Sequence, residues 1–129
     1  MATHHGKLGV VKVGSNTVAE VVEWDVEETV DTVEDTAQGD TAMTHLAGIP
    51  GWTGNLRCHW DETDTNGQQA MTIGASVTLN LYPEGTGSGA KYKTGTATIT
   101  KVGIGVSHQG VVSREFSFQG NGALTEAAV

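Results

Sequence analysis

The amino-acid sequence predicts a mainly β fold in a single domain. Apolar and polar residues alternate with a period of two along much of the chain, which is the pattern of strands whose successive side chains face opposite sides of a sheet. The alternating runs are rich in Val and Thr, residues that favour strands over helices. A length of 129 residues with 18 glycines and only 2 prolines fits one domain with many turns.

The chain begins with a predicted hairpin. Residues 7–13 and the run that starts at Thr17 are rich in β-branched side chains. Gly14, Ser15 and Asn16 separate the two runs, and these residue types tolerate the positive φ of a tight turn. We therefore expect the two runs to pair antiparallel.

The next strand is predicted to have one apolar face and one acidic face. Apolar residues take the even positions 22, 24, 26 and 30, and acidic residues take the odd positions 23, 25, 27 and 31. A helical stripe also fits the valines, but the Val- and Thr-rich composition favours a strand. Residues 20–40 hold nine of the 15 acidic residues and no Lys or Arg. The predicted acidic face consists of Glu23, Asp25, Glu27 and Asp31.

This concentration of charge has two explanations. On composition alone, a solvated strand face that keeps the protein soluble explains it as well as a functional surface does. A row of like charges nevertheless costs roughly a few tenths of a kcal/mol for each opposed pair. We therefore expect this face to have a use that compensates for the repulsion.

A long loop is predicted over residues 36–51, because Gly39, Gly48 and the run 49–51 disfavour regular structure. A connection of this length in a small domain usually has a function. The residues expected to make contacts from this loop are Asp40, Met43, His45, Leu46, Ile49 and Pro50.

Further strands follow the loop. Residues 52–60 and 76–82 alternate, and residues 92–106 and 111–118 predict a long hairpin near the end of the chain. Residues 65–73 follow a group of acidic and cap-forming residues and predict one short α-helix.

The apolar faces of these strands supply the predicted core, and residues 119–129 are expected to form a Gly- and Ala-containing tail outside it. The predicted core residues are Val22, Trp24, Val26, Trp52, Leu56, Trp60, Val77, Leu79, Leu81, Phe116 and Phe118.

The composition excludes several classes of function. A net charge of -8 leaves no basic surface to neutralise phosphates, so ordinary nucleic-acid binding is not expected. The single cysteine, Cys58, cannot close an intramolecular disulfide. No run approaches the roughly 20 apolar residues of a membrane span, and the first residues lack the apolar run of a signal peptide. We expect a protein that is made and folded in solution, with no membrane partner.

No motif for catalysis or metal binding is complete. Cys58 and His59 are neighbours on a predicted strand, so their side chains point to opposite faces and cannot form a nucleophile and base. The glycine-rich run 85–89 lacks the lysine of a phosphate loop. A calcium-like run begins at Glu62, but Ile73 stands where a bidentate Glu is needed. We expect no catalytic residue, no metal site and no cofactor.

Three segments resemble the major tail, or tail tube, proteins of long-tailed bacteriophages and phage-like gene transfer agents. They are EWDVEET at 23–29 running into DTAQGD at 35–40, AGIPGWTG at 47–54, and the ending FSFQGNG at 116–122. Their order and spacing cover most of the chain. The chain departs from the family pattern in being very short.

The resemblance implies a β-sandwich or partial barrel with one flanking helix and no enzyme activity. It further implies six copies in a ring with a continuous inner β-barrel, and rings stacked into the non-contractile tail tube of a virion assembled in the bacterial cytoplasm. The implied partners are other copies of the chain, a tape-measure protein, a tail terminator, distal tail or baseplate proteins, and double-stranded DNA that passes without specific binding. The predicted acidic face would line the lumen, and the loop 36–51 would reach a neighbouring subunit or ring.

Two other classes of function remain open on the sequence. A β-sandwich module that binds carbohydrate or another ligand is also acidic and Gly-rich, and Trp52, Trp60 and Tyr82 could form a stacking platform. The shared parity of Trp52 and Trp60 with Leu56 favours burial of these rings instead. A small hydrolase is disfavoured because no nucleophile, base and oxyanion donor come together in any motif.

Overall fold

The chain builds ten strands and a 3-10 helix in the part that the computed structural model describes, residues 6, 9–39 and 41–129. The strands are β1 (Val10–Val13), β2 (Asn16–Thr17), β3 (Val21–Thr29), β4 (Thr32–Glu34), β5 (His45–Ala47), β6 (Gly51–His59), β7 (Ser76–Tyr82), β8 (Lys91–Gly105), β9 (Ser113–Gly120) and β10 (Thr125–Ala128). The 3-10 helix is Gln68–Ala70.

The predicted hairpin at the start of the chain is present as β1 and β2. Val13 pairs with Asn16, and Gly14 between them has a φ of 63°. That left-handed backbone favours glycine at this position. Residues 7 and 8 of the predicted run lie outside the described residues.

One large antiparallel sheet carries most of the strands, in the order β2-β1-β7-β8-β9-β6-β3. The long strand β8 connects its two halves: residues 93–98 pair with β7, and residues 97–105 pair with β9 on the opposite edge. The apolar faces of both halves meet in one core. The monomer is therefore an open, partial barrel rather than a closed one, and the mainly β prediction is confirmed.

The core lies on the side of the sheet that the alternating pattern indicates. Trp52 packs edge-on against Phe118 with ring centroids 6.0 Å apart, and its Nε1 donates to the carbonyl of Gly122 at 3.1 Å. Six of the predicted core residues are buried: Trp52, Leu56, Leu79, Leu81, Phe116 and Phe118. Trp24, Val26 and Val77 are partly buried and pack against them. Buried residues that the sequence analysis did not select include Val11, Cys58, Met71, Ala97 and Ile99.

Two predicted core residues are exposed instead. Val22 is 46% exposed because β3 contains a β-bulge at this residue. Val21 pairs with Cys58 and Glu23 pairs with Arg57, so Val22 is the extra residue. Val21 packs against the core in its place. Trp60 is 36% exposed, since β6 ends at His59 and the indole lies at the margin of the core.

The predicted α-helix over 65–73 is reduced to a single 3-10 turn. Ala70 and Met71 donate to the carbonyls of Gly67 and Gln68, three residues back, so no α-helical turn forms. The buried Gln68 side chain fixes the turn by donating to the carbonyls of Ala19 and His59. In the described part of the chain, no helix is long and apolar enough to cross a membrane.

The end of the chain is more regular than predicted. β10 pairs with residues 91–94 of β8, on the same edge as β9. Lys93 lies between two acids, with its Nζ 3.8 Å from Glu28 and 3.9 Å from Glu126. Residues 119–129 thus close one end of the sheet and do not form a free tail.

Candidate functional site

The first candidate surface is the polar face of the four strands β3, β6, β9 and the second half of β8. Side chains alternate along each strand, so this face presents the residues that point away from the core. It forms a shallow groove of about 410 Å³. The charged and amide groups that line it are Glu23, Asp25, Asn55, Arg57, Lys101 and Glu115.

The three acids predicted on β3 lie together on this face. Glu23, Asp25 and Glu27 are exposed, because Trp24 and Val26 between them pack toward the core. The Asp25 carboxylate accepts a hydrogen bond from the backbone N–H of Asn55 at 3.0 Å. This bond fixes one carboxylate at the centre of the groove.

The face also carries cations that the prediction of an acidic lining did not include. The Arg57 Nε lies 3.2 Å from a Glu23 carboxylate oxygen, and Lys101 and Glu115 come from the two neighbouring strands. Arg57 could have been placed there from the alternation along residues 52–60. Lys101 could not, because a β-bulge between Ile99 and Lys101 changes the face on which it lies.

Asp31 does not belong to this face. β3 ends at Thr29, and the register of the hairpin changes between the pair Thr29 with Gly51 and the pair Thr32 with Ala47. Asp31 lies in this irregular connection, with its carbonyl accepting from the backbone N–H of Gly48. The alternation that carries the acidic face therefore stops before Asp31.

The second candidate surface is a projecting hairpin, residues 30–50, which we call the arm. Its strands β4 and β5 pair only with each other in the described chain and form a separate two-stranded sheet. Every described arm residue is exposed except Thr36, which is partly buried. The predicted loop 36–51 thus contains the tip and the returning strand β5 of a longer hairpin.

The arm presents the predicted contact residues to solvent. Met43, His45, Leu46 and Pro50 are exposed, and Ile49 is 94% exposed. Asp40, the remaining residue of that prediction, lies outside the described residues. Such a concentration of exposed apolar side chains on one hairpin is typical of an interaction surface.

In the four-stranded half of the main sheet, two strand edges have no strand partner among the described residues. β3 pairs with β6 along one edge only, which leaves its nine-residue outer edge without a strand partner in the described chain. Residues 101–105 of β8 pair with β9 on one edge, while β7 ends opposite Thr98 on the other. The four-stranded half of the sheet is therefore open on both sides, and open edges are templates for pairing with another chain.

Cys58 is a core residue rather than a nucleophile. It is fully buried, with its Sγ 3.6 Å from the carbonyl oxygen of Arg114. Burial raises the pKa of the thiol to about 11, so it is protonated at neutral pH. His59 points to the opposite face, as the alternation along β6 requires.

The calcium-like run is occupied by structural hydrogen bonds. The Asp64 Oδ2 atom accepts from the backbone N–H groups of Ala19 and Gln68, which ties the run to the turn before β3. Among the described residues, no three His, Cys, Asp or Glu side chains are grouped so that they could hold a metal ion.

The three aromatic residues proposed as a stacking platform do not share an exposed surface. Trp52 is 2% exposed and Tyr82 is 8% exposed. Trp60 is the most accessible of the three and packs on the guanidinium of Arg114 instead. These three rings therefore offer no shared exposed surface on which a sugar ring could stack.

Comparison with known proteins identifies the fold. Neither a protein-family model nor a curated protein sequence matches this chain. A chain from the tail of an empty gene transfer agent particle, determined by helical refinement with C6 symmetry, matches with a TM-score of 0.81 and 22% identity. The match covers 98% of this chain and 100% of that one.

Two further solved structures share this fold. The SPP1 tail tube gives a TM-score of 0.75 at 11% identity, covering 98% of this chain and 80% of that chain. The sheath-tube complex of an extracellular contractile injection system gives 0.71 at 13% identity, covering 98% of this chain and 93% of that chain. The mainly β fold implied by the resemblance to tail tube proteins is confirmed, although a single 3-10 turn stands where a flanking helix was expected.

Proposed function

We propose that this chain is a structural tail tube protein of a phage or gene transfer agent, without enzyme activity or a cofactor. Copies pair side by side into rings, and rings stack into a hollow tube. The observation that carries the proposal is the four-stranded half sheet with both edges open, in a chain that shares the fold of tail and tube proteins over 98% of its length.

Ring formation follows from the two open edges. The outer edge of β3 in one copy pairs with residues 101–105 of β8 in the next. Because the two edges differ, the contact is head-to-tail, and such contacts produce closed rings when the rotation between copies closes. Six copies give a continuous inner barrel that leaves no open edge on this half of the sheet.

The polar face forms the lumen of the tube. Four carboxylates (Glu23, Asp25, Glu27, Glu115) and two cations (Arg57, Lys101) leave it with net negative charge. A negative wall repels the phosphates of double-stranded DNA, so DNA passes without binding specifically. The Arg57–Glu23 ion pair removes one cation from contact with passing phosphates.

The arm connects neighbouring subunits or rings through its exposed residues. Met43, His45, Leu46, Ile49 and Pro50 become buried there, and Asp40 belongs to the same segment. The other partners are a tape-measure protein inside the tube, a tail terminator at one end and distal tail or baseplate proteins at the other. The protein acts in the non-contractile tail of a virion that assembles in the host cytoplasm.

Electron microscopy with a dilution series tests the proposal. Purified protein at high concentration should show six-fold rings or tubes in negative stain. Its melting temperature should rise with concentration, because assembly binds only the folded chain. A monomer with a high, concentration-independent melting temperature would contradict the proposal, and retention of that monomer on a glycan column would favour a ligand-binding module.

The lumen assignment needs its own variants. Glu23→Lys, Asp25→Lys and Glu27→Lys together should leave tubes intact, because all three side chains are exposed. The tubes should then retain DNA at low salt and release it at high salt, and particles should fail to deliver DNA. The matched control replaces the same three residues by Gln, Asn and Gln, which removes the charge without adding cations. Normal DNA delivery by the Lys variant would place these carboxylates away from the lumen.

A further inference from the structure

The end of the sheet farthest from the arm carries a second exposed apolar surface. Trp60, Ile104, Val106 and Val111 surround the end of β6 and the turn between β8 and β9, and we call them the distal patch. They are between 36% and 75% exposed. The arm leaves the sheet at Gly51, whereas the distal patch adjoins His59 at the other end of β6. The two surfaces are about 30 Å apart along the strand.

A buried cation, two of whose three nitrogen atoms make no hydrogen bond, lies under the distal patch. Arg114 is 8% exposed, and its guanidinium is between the rings of Trp60 at 4.9 Å and Phe116 at 5.1 Å. Its Nε and Nη1 atoms are buried and make no hydrogen bond. The two rings attract the cation but accept no N–H hydrogen bond of ordinary strength. A buried charge in this state is costly until an anion reaches it.

The arm has a face of matching chemistry. Val33 pairs with Leu46 across the hairpin, so both side chains lie on one face. Asp35 alternates with Val33 onto that face but is already hydrogen-bonded to Thr44. Asp31 flanks the pair on the other side, and its carboxylate makes no hydrogen bond or ion pair within the described residues. The arm thus offers an apolar pair next to a free carboxylate.

We propose that the distal patch of one copy receives the arm of a second copy, with the Asp31 carboxylate bound by the Arg114 guanidinium. The inference rests on the proposed function and specifies its stacking contact. Val33 and Leu46 cover the apolar patch, while the carboxylate neutralises the buried guanidinium charge beneath it. Because arm and patch lie at opposite ends of the sheet, each added layer exposes a new patch, and the contact propagates along one axis.

A mixing experiment tests the pairing of the two surfaces. Leu46→Lys breaks the arm and Val111→Lys breaks the patch, and both positions are exposed, so each chain should fold. Each variant alone should form rings that do not elongate. An equal mixture should form stacks of two rings and no longer tubes, since one intact arm face meets one intact patch. Long tubes from either variant alone, or no stacks from the mixture, would overturn the proposal.

The ion pair is tested by the concentration at which tubes form. Asp31→Asn should raise this concentration at least about tenfold. Adding Arg114→Gln should raise it little further, because the two changes remove the same contact. Glu34→Gln is the matched control: it has the same charge change on the opposite face of the arm and should stay within about twofold.

The outcomes separate this inference from the proposed function. If the natural chain forms neither rings nor tubes, the proposed function fails. If it forms tubes but Asp31→Asn and Glu34→Gln behave alike, or the effects of Asp31→Asn and Arg114→Gln add, only the arm-to-patch contact is wrong. A melting temperature for each ring preparation distinguishes a folding defect of Arg114→Gln from a stacking defect.

Discussion

The body of the protein, residues 9–29 and 51–129, and the arm, residues 30–50, are both built from antiparallel strands, but burial stabilises only the body. In the body, Trp52, Phe116 and Phe118 are almost completely buried. In the arm, the cross-strand partners Val33 and Leu46 are each more than half exposed. Strand pairing by itself is marginal for two strands in water, so the difference indicates that the arm needs another surface to become stable.

The largest expected difference between the two regions comes from deleting one apolar side chain in each. Trp52→Ala should lower the free energy of unfolding by about 3–5 kcal/mol, because it empties the centre of the core. Leu46→Ala in the arm should change it by less than about 0.5 kcal/mol. Urea unfolding of the monomer at low concentration measures both. Equal effects would mean that the arm packs on the body.

A close approach in the core gives the next effect. A Cβ atom at Gly120 would overlap the Trp52 indole, so Gly120→Ala should cost about 1–3 kcal/mol through displacement of the ring. Gly51→Ala, where no atom lies within 4 Å of the added Cβ, is the control and should be nearly neutral. Similar losses at both glycines would show that backbone effects, rather than the indole contact, decide the result.

The buried thiol gives the stability of the body a pH dependence. Because burial raises the pKa of Cys58 from 9.0 to about 11, the folded state keeps its proton at pH values where the unfolded chain has lost it. Stability should therefore be unaffected by this group below pH 9 and fall by about 1–2 kcal/mol between pH 9 and 11. Urea unfolding of Cys58→Ala over the same pH range measures the contribution of the other titrating groups, which is subtracted from the profile of the natural chain. If the stability of this variant falls with pH as steeply as that of the natural chain, the thiol is not the cause of the fall.

Removing the arm should have the smallest effect on the isolated monomer. Replacing residues 30–50 by Asn-Gly joins Thr29 to Gly51, which are already cross-strand partners, through a two-residue turn. We expect the free energy of unfolding to change by less than about 1 kcal/mol, while ring stacking is lost. Hydrogen exchange in the natural chain should show fast exchange at 32–47 in the monomer and slow exchange in tubes. Slow exchange there in the monomer would show that the arm is stable alone.

Much of the fold follows from local pattern. β7 has the bounds that the alternation of residues 76–82 predicts, and β6 and β9 differ from theirs by a few residues at most. The acids on β3 could be placed on one face from Trp24 and Val26 alone. The bulge at Val22 could not be predicted in this way, because a bulge depends on the partner strand as well as on the pattern of its own strand.

The sequence by itself determined the strand-rich class, the side of most strands that enters the core and the concentration of acid over residues 20–40, because alternation and composition are properties of neighbouring residues. Only the tertiary structure decided which edges stay open, which cations share the polar face and which buried charge lacks a partner. Those features arise where residues distant in sequence meet, as Arg114 meets Trp60 and Arg57 meets Glu23. Register and bulges decide such meetings, and they depend on strand pairs rather than on any single strand.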